Sequence, residues 1–388
     1  MRDKSKIADR IKKVPPSGIR EFFEMVIGME DVVSLGVGEP DFVTPWHIRE
    51  AAIYSLEKGY TTYTSNYGLL ELREAISQQL YSDYSVYYDP SDQLLITTGV
   101  SEGYDLAVRA IVDVGDEVIV PEPCYVMYKP CIIFAGGKPV EVPTFLSNEF
   151  KVTAEQIEEK ITDKTKAIVI GYPNNPTGAT MGKKDLEEIA DVVNEHNLIV
   201  ISDEVYDKLT YEGKHTCFSS LNGMEENTIL LNGFSKAYAM TGLRIGYAAS
   251  TPEIIEAMMK IHQYSMLCAP ITGQFAAIEA IQNGEKEMKA MVKEYNRRRR
   301  LIVKGLNKIG LYTFEPKGAF YAFPSIDISG LTSKEFAERL LKEKKVAVVP
   351  GDAFGSAGEG FVRCAYAASR EAINEAISRM ESFLHKLR

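Results

Sequence analysis

From Leu94 onward, short apolar runs alternate with segments of helical spacing. The runs are Leu94–Thr97, Glu117–Val120, Pro139–Val142, Lys166–Ile170, Leu198–Ile201, Thr228–Leu231 and Ile245–Ala249. They have the length of buried strands and are too short for helices. Between most of them apolar residues recur every three to four positions, as in 102–112, 183–195 and 252–261. This rhythm predicts an α/β fold with a mostly parallel seven-stranded sheet covered on both faces by helices. Such sheets gather ligands at the carboxyl ends of their strands. The residues that follow each run are therefore where chemistry is sought.

The flanks differ. Residues 1–45 read as an N-terminal arm, broken at Pro15-Pro16-Ser17-Gly18 and weakly amphipathic over Ile19–Ile27. Thr44-Pro45 reads as a helix start, with Thr as cap and Pro in the first turn. Ile48, Ala51, Ala52, Ser55 and Leu56 follow at helical spacing, and a further helix has Leu69, Leu72, Ile76 and Leu80 on one face. Beyond 286 a long charged helix precedes strand patterns at Tyr312–Phe314, Ala319–Phe323, Val346–Val349 and Phe361–Ala365, with helices at 332–344 and 369–387. The expected organisation is an arm that joins the small domain (1–45), a large domain (46–286) and a smaller α+β domain (287–388).

Composition narrows the partners. The chain has 388 residues, 45% of them apolar, and a formal charge of −10. Its one basic block, Arg297-Arg298-Arg299-Arg300, falls in a helical pattern and reads as a solvated face, so nucleic acid is not an expected partner. The five cysteines include no C-x-x-C pair, and the five histidines no H-E-x-x-H, so neither a disulfide framework nor a metal site is indicated. No signal-peptide pattern and no 18-residue apolar run is present, which points to a soluble, cytoplasmic protein and no membrane partner. Gly36 and Gly38 invite a dinucleotide reading, but Asp41 breaks G-x-G-x-x-G.

Candidate chemistry follows the strands. Lys236 lies between two apolar runs among small residues, in Asn232-Gly233-Phe234-Ser235-Lys236-Ala237-Tyr238 and on to Thr241-Gly242-Leu243-Arg244. Partial desolvation there favours a free amine and Schiff-base chemistry. Thr97-Thr98-Gly99-Val100-Ser101 ends a strand and opens a helix, where backbone N–H groups and the helix dipole suit an anion. Asp203 stands just past Leu198–Ile201, and Tyr125 and Asn175 follow two other runs. Arg363 lies inside an apolar strand. A buried arginine needs a partner, and its fork suits a carboxylate, of a ligand or of a structural ion pair. Each motif alone is also compatible with a turn, a cap or a core residue.

In their order along the chain, these motifs resemble those of the fold-type I, class I and II aminotransferases, which use pyridoxal 5'-phosphate. The resemblance runs from Gly38 to Arg363. It implies that Lys236 carries the cofactor as a Schiff base and later moves a proton. It implies that Val100, Ser101, Ser235 and Arg244 hold the cofactor, the first two and Arg244 at its phosphate, and that Tyr125 stacks on its ring. Asn175 and Tyr206 would meet its phenolic oxygen, and Asp203 its pyridine nitrogen. Gly38, Asn175 and Arg363 would bind substrate, Arg363 through the α-carboxylate. Tyr63 would reach the phosphate in a neighbouring subunit, which implies a homodimer with its active site at the interface.

The implied reaction moves an amino group from an L-amino acid to a 2-oxo acid, with 2-oxoglutarate as the expected acceptor. Lyases, decarboxylases and acyltransferases of the same fold, such as C–S lyases, are the alternatives. A cofactor-binding regulator would need a DNA-binding segment ahead of residue 30, for which there is no room. In aspartate-specific relatives a distal arginine from the partner reads the second carboxylate. The matching stretch 260–270 has no arginine, so broad side-chain selectivity is expected.

Overall fold

A computed structural model describes residues 6–387. The first five residues of the N-terminal arm, and Arg388 at the end of the last helix, lie outside the described residues. The strands, in chain order, are β1 (Val33–Ser34), β2 (Leu94–Thr97), β3 (Glu117–Glu122), β4 (Lys138–Pro143), β5 (Thr165–Ile170), β6 (Ile199–Asp203), β7 (Thr228–Gly233), β8 (Gly246–Ala249), β9 (Tyr321–Ala322), β10 (Val346–Ala347), β11 (Val349–Pro350) and β12 (Val362–Ala365).

Seven of these form one sheet in the order β2-β8-β7-β6-β5-β3-β4. All neighbours are parallel except β8, which is antiparallel to both β2 and β7. The exception has a simple cause. Parallel neighbours need a long crossover, whereas β8 returns after a short loop and pairs Gly246 with Gly233. That loop begins at the carboxyl end of β7 and carries Lys236 and Arg244. β2, β3, β7 and β8 are buried along their whole length, which explains why they read as unbroken apolar runs. The edge strand β4 is mostly exposed.

The segment after the sheet builds smaller sheets, β11-β12-β9 and β1-β10. β1 runs parallel to β10, and Leu35 extends the pairing by donating to Ala347 O and accepting from Ala365 N. The N-terminal segment is thus tied to the C-terminal one, and residues 36–38 are carried to the carboxyl edge of the large sheet. Among the described residues no helix is long and apolar enough to cross a membrane. All five cysteines are free thiols.

Several expectations are corrected. The basic block is not a solvated face: Arg298 and Arg299 of the helix Glu285–Lys308 are buried. Arg298 pairs with Asp41 and Glu294, and Arg299 with Glu212 and Glu315. Arg299 also stacks on Tyr211. Only Arg297 and Arg300 face solvent. Tyr312–Phe314 is not a strand, because the Asn307 side chain takes both the N–H and the carbonyl of Thr313 that a ladder would use. Thr44 does not cap the helix Trp46–Glu57; its hydroxyl donates to Ala239 O at 2.6 Å, and the cap position is Pro45. In that helix Ile48 and Ser55 are buried, while Leu56 is exposed in the single chain. β6 and β7 run past their apolar residues, so Asp203 is the last residue of β6, opposite Leu231, and not the first residue after it.

Candidate active site

The carboxyl ends of β3, β5, β6 and β7 open onto one cavity of about 600 Å³. Val100, Ser101, Tyr125, Asn175, Asp203, Tyr206, Ser235, Lys236, Arg244, Arg363 and Gly38 all line it. Of the site residues expected from the sequence, only Tyr63 stands apart, 79% exposed on the surface of the single chain.

Lys236 is held in place by its ammonium, which donates to Gly38 O at 2.7 Å. Its Nζ lies 5.9 Å from the Tyr206 ring centre and 5.7 Å from that of Phe320. Burial is the main reason its pKa falls to about 8, and the nearby Arg363 adds to the fall, against the opposing charge of Glu39. The share present as the free amine, the nucleophilic form, is therefore far larger near neutral pH than for an ordinary lysine. Gly38 has no room for a side chain: a Cβ there would stand 2.7 Å from Tyr321 Oη.

Asp203 and Glu204 are adjacent but serve opposite faces of the sheet, as alternation along a strand requires. Glu204 is tied up behind the sheet by Ser202, Phe218 N–H and His215. Asp203 faces the cavity, accepting from Tyr128 Oη at 2.7 Å and from Val205 N at 3.2 Å. Burial raises its pKa despite these two donors. It makes no ion pair among the described residues. A carboxylate so placed fits a ligand that brings an N–H donor or a positive charge.

Arg244 adopts φ +57° and lies against the end of β2. Its Nη1 donates to Thr241 O at 2.9 Å and its Nη2 to Thr98 O at 3.4 Å. Gly99 adopts φ +78°, where any other side chain would be strained, and a Cβ there would also displace the Arg244 guanidinium, coming within 2.4 Å of Nη2. Immediately after it, Val100 and Ser101 open the helix Val100–Ile111, where N–H groups lack acceptors inside the helix. Thr98 N–H is excluded from this cup because it donates to Glu102, which His262 holds at 2.7 Å. Two amides, a hydroxyl and a guanidinium therefore surround one end of the cavity, an arrangement that fits a phosphate.

Arg363 occupies the opposite wall. Nη1 donates to Asn175 Oδ1 at 2.9 Å and Nη2 to Gly36 O at 2.6 Å, while Nε is buried without a partner. Its guanidinium is sandwiched between Tyr321 and Phe354, 4.5 and 4.9 Å from their centres. The structural ion pair that the sequence left open is absent: only neutral groups meet this arginine among the described residues. Asn175 can reach it because Asn174 does the work of the turn, accepting from Thr177 N–H and Oγ1.

Sequence reasoning missed several members of this site. Tyr128 holds Asp203 and meets Tyr125 edge to face at 5.8 Å. Tyr321 bonds to Tyr206 Oη at 2.7 Å and stacks on Arg363. Burial, and then Tyr321, keep the Tyr206 hydroxyl protonated far above neutral pH. Tyr128 lies three residues past Tyr125, one helical turn on, which is the only sequence signal for it; Tyr321 reads as one more apolar strand residue. The Gly36 carbonyl and Phe354 carry no signal at all.

A family model for aminotransferase class I and II matches residues 30–380. An aspartate aminotransferase of Pyrococcus abyssi is 49% identical over 383 residues, covering 98% of each chain. An aromatic-amino-acid aminotransferase of Thermococcus litoralis is 47% identical, covering 97% of this chain and 98% of its own. The crystal structure of an aromatic aminotransferase from Pyrococcus horikoshii superposes with a TM-score of 0.91 at 49% identity, covering 95% of this chain and 100% of that one.

Proposed function

The chain belongs to the class I and II aminotransferases, enzymes that depend on pyridoxal 5'-phosphate, and on that premise we propose how its residues divide the work and which substrates they take. When bound, the cofactor supplies an electron sink for negative charge at the amino acid's Cα. Lys236 would hold it covalently through Nζ, release it to the incoming amino acid, and then move the proton taken from Cα. Val100, Ser101, Ser235 and Arg244 would hold its phosphate end. Asp203, fixed by Tyr128, would hold its ring nitrogen in the protonated form. Tyr125 would pack on the ring, and Asn175 and Tyr206 would donate to its phenolic oxygen. Residues 46–286 would serve as the cofactor-binding domain, and the arm and residues 287–388 as the domain that carries the α-carboxylate site.

The observation that carries this reading is Arg363. A buried guanidinium with only neutral partners and a free Nε sits in the same cavity as a lone lysine with a depressed pKa. It fits the α-carboxylate that every amino-acid and 2-oxo-acid substrate carries, 2-oxoglutarate as acceptor included. Arg363→Lys keeps the charge and loses the two-pronged geometry. Charge-assisted bonds contribute roughly 1.5–3 kcal/mol, so kcat/KM is expected to fall at least ~10-fold at about 1.4 kcal/mol per decade. The loss should be similar for aspartate, alanine and phenylalanine. Impairment confined to dicarboxylate donors would make Arg363 a side-chain reader instead.

We also propose a homodimer. Tyr63, Tyr60, Leu56, Tyr54, Ile53 and Trp46, all between 46 and 63 in the chain, are exposed aromatic and aliphatic residues, the kind of side chain that an interface covers. It would let Tyr63 reach a partner's cofactor. Sedimentation at micromolar concentration should give twice the chain mass of 43.2 kDa; a monomer that is fully active would refute the shared site.

A further inference from the structure

We propose that Glu102 and His262 act as one positioning clamp that keeps the phosphate end of the cavity open; this rests on Val100, Ser101 and Arg244 holding that phosphate. Neither Glu102 nor His262 is among the residues that line the cavity. They act through the Thr98 peptide, whose two polar groups are both committed. Its N–H donates to Glu102 Oε2, and its carbonyl accepts from Arg244 Nη2 at 3.4 Å. The backbone that leads into the cup is thus gripped from two sides. One grip is the guanidinium that would meet the phosphate, and the other is a carboxylate that would not.

The helix start explains why a clamp is needed. The cap position of the helix Val100–Ile111 is Gly99, which makes no side-chain bond to the first amides. Serine, threonine or aspartate there would take one of those amides for itself; glycine leaves them to a ligand. Glu102 is the third residue of this helix. A glutamate at that place commonly reaches back to the N–H of the cap residue. Here the Gly99 N–H is already taken by Thr97 O at 2.8 Å, and Glu102 reaches one residue further, to Thr98. A carboxylate in a first turn is also drawn to the positive end of its own helix. Left loose, Glu102 would be an internal rival of the phosphate.

His262 removes that rivalry. It is fully buried near the end of the helix Pro252–Ser265, which packs along Val100–Ile111. Its Nδ1 lies 2.7 Å from Glu102 Oε1. An ionised carboxylate only accepts, so the ring donates. Both oxygens of Glu102 are then held away from the cup, one by His262 and one by the Thr98 N–H. Burial pushes the Glu102 carboxyl up, but the bonds from His262 and Thr98 outweigh it and leave its pKa lowered. His262 Nε2 is buried without a partner, so among the described residues Glu102 is the one group that orients the ring. Glutamine at 102 cannot do the same work. It brings one acceptor and one donor, so either the Thr98 N–H or the His262 Nδ1–H would face another N–H. Moving the imidazole proton to Nε2 would relieve this only by burying an N–H with no acceptor.

The test separates the phosphate from the rest of the cofactor. Full-length holoenzyme is stripped of cofactor and titrated with pyridoxal 5'-phosphate and with pyridoxal, which leaves the cup empty. Glu102→Gln and His262→Leu should each weaken binding of the phosphorylated form by about 10-fold or more, and change pyridoxal by less than about 3-fold. His262→Asn, whose amide nitrogen takes the place of Nδ1, should stay within about 3-fold of wild type for both ligands. The double variant Glu102→Gln/His262→Leu should bind about as well as the weaker single variant, because two halves of one clamp do not add. Equal weakening of both ligands would make the pair a general support of the fold. Unchanged affinity for both would show that the cup needs no clamp, and fully additive losses that the two residues do not act as one. Each of these results overturns the proposal. Failure of the phosphate-site reading is separate: Arg244→Gln would then leave the preference for the phosphorylated form intact, whatever the other variants do.

Discussion

Lys236→Ala is expected to abolish nearly all turnover while leaving cofactor capture in place. Among the described residues Lys236 is the only lysine lining the cavity, and burial with Arg363 nearby holds its pKa at about 8. On the proposed roles, its loss removes both the covalent attachment point and the group that moves the proton at Cα. Proton transfer by a positioned side chain contributes about 10²–10⁴-fold by itself, so a fall of ~10⁴-fold in kcat is expected, roughly 5 kcal/mol at 1.36 kcal/mol per decade. The phosphate cup is built from Arg244 and the helix start after Gly99, none of which touches Lys236 Nζ, so the variant should still take up cofactor. The attachment itself is read chemically. Borohydride reduction of the wild type, digestion and mass mapping should place the cofactor on the peptide containing Lys236, and in the variant on no peptide. A label on another lysine, or turnover within about tenfold of wild type, would overturn the assignment.

How much of this was legible depends on whether a residue's neighbours lie close in the chain. The large sheet was legible because most of its strands are buried on both faces, and burial on both faces writes itself as a continuous apolar run. Asp203, Lys236, Asn175 and Val100 were legible for the same reason: each follows such a run, and the parallel sheet brings all their ends to one edge. Arg298 and Arg299 were misread because their partners Asp41 and Glu212 lie far away in sequence. Composition shows a charge run and cannot show that two of its members point inward. Tyr312–Phe314 has the alternation of a strand, but one asparagine side chain satisfies the backbone first. Tyr128, Tyr321 and Phe354 were invisible as site residues because an aromatic residue in an apolar stretch predicts burial whether or not a carboxylate or guanidinium lies against it.

Asp203→Asn should separate catalysis from stability by moving them in opposite directions. The side chain is buried at the end of β6, and burial raises its pKa more than Tyr128 and Val205 N–H lower it. A carboxyl group whose folded pKa lies above its unfolded value takes up more protons folded than unfolded. Its contribution to stability therefore declines as pH rises from the unfolded value through the folded one, and the deficit is complete above both. The ionised carboxylate is thus disfavoured by its burial in the cofactor-free fold. Asparagine keeps the shape and removes that charge, with the Tyr128 hydroxyl free to donate or accept. The cofactor-free variant is expected to melt no lower than wild type at pH 7, and the difference should shrink as pH falls toward the ordinary carboxylate range. Catalysis should go the other way. Without the charge proposed to hold the ring nitrogen protonated, kcat is expected to fall by ~10²-fold or more, about 3 kcal/mol of transition-state stabilisation. Cofactor should still bind through its phosphate. Single-turnover rates close to wild type, together with a lower melting temperature of the cofactor-free protein, would identify Asp203 as a structural acid and refute its role at the ring nitrogen.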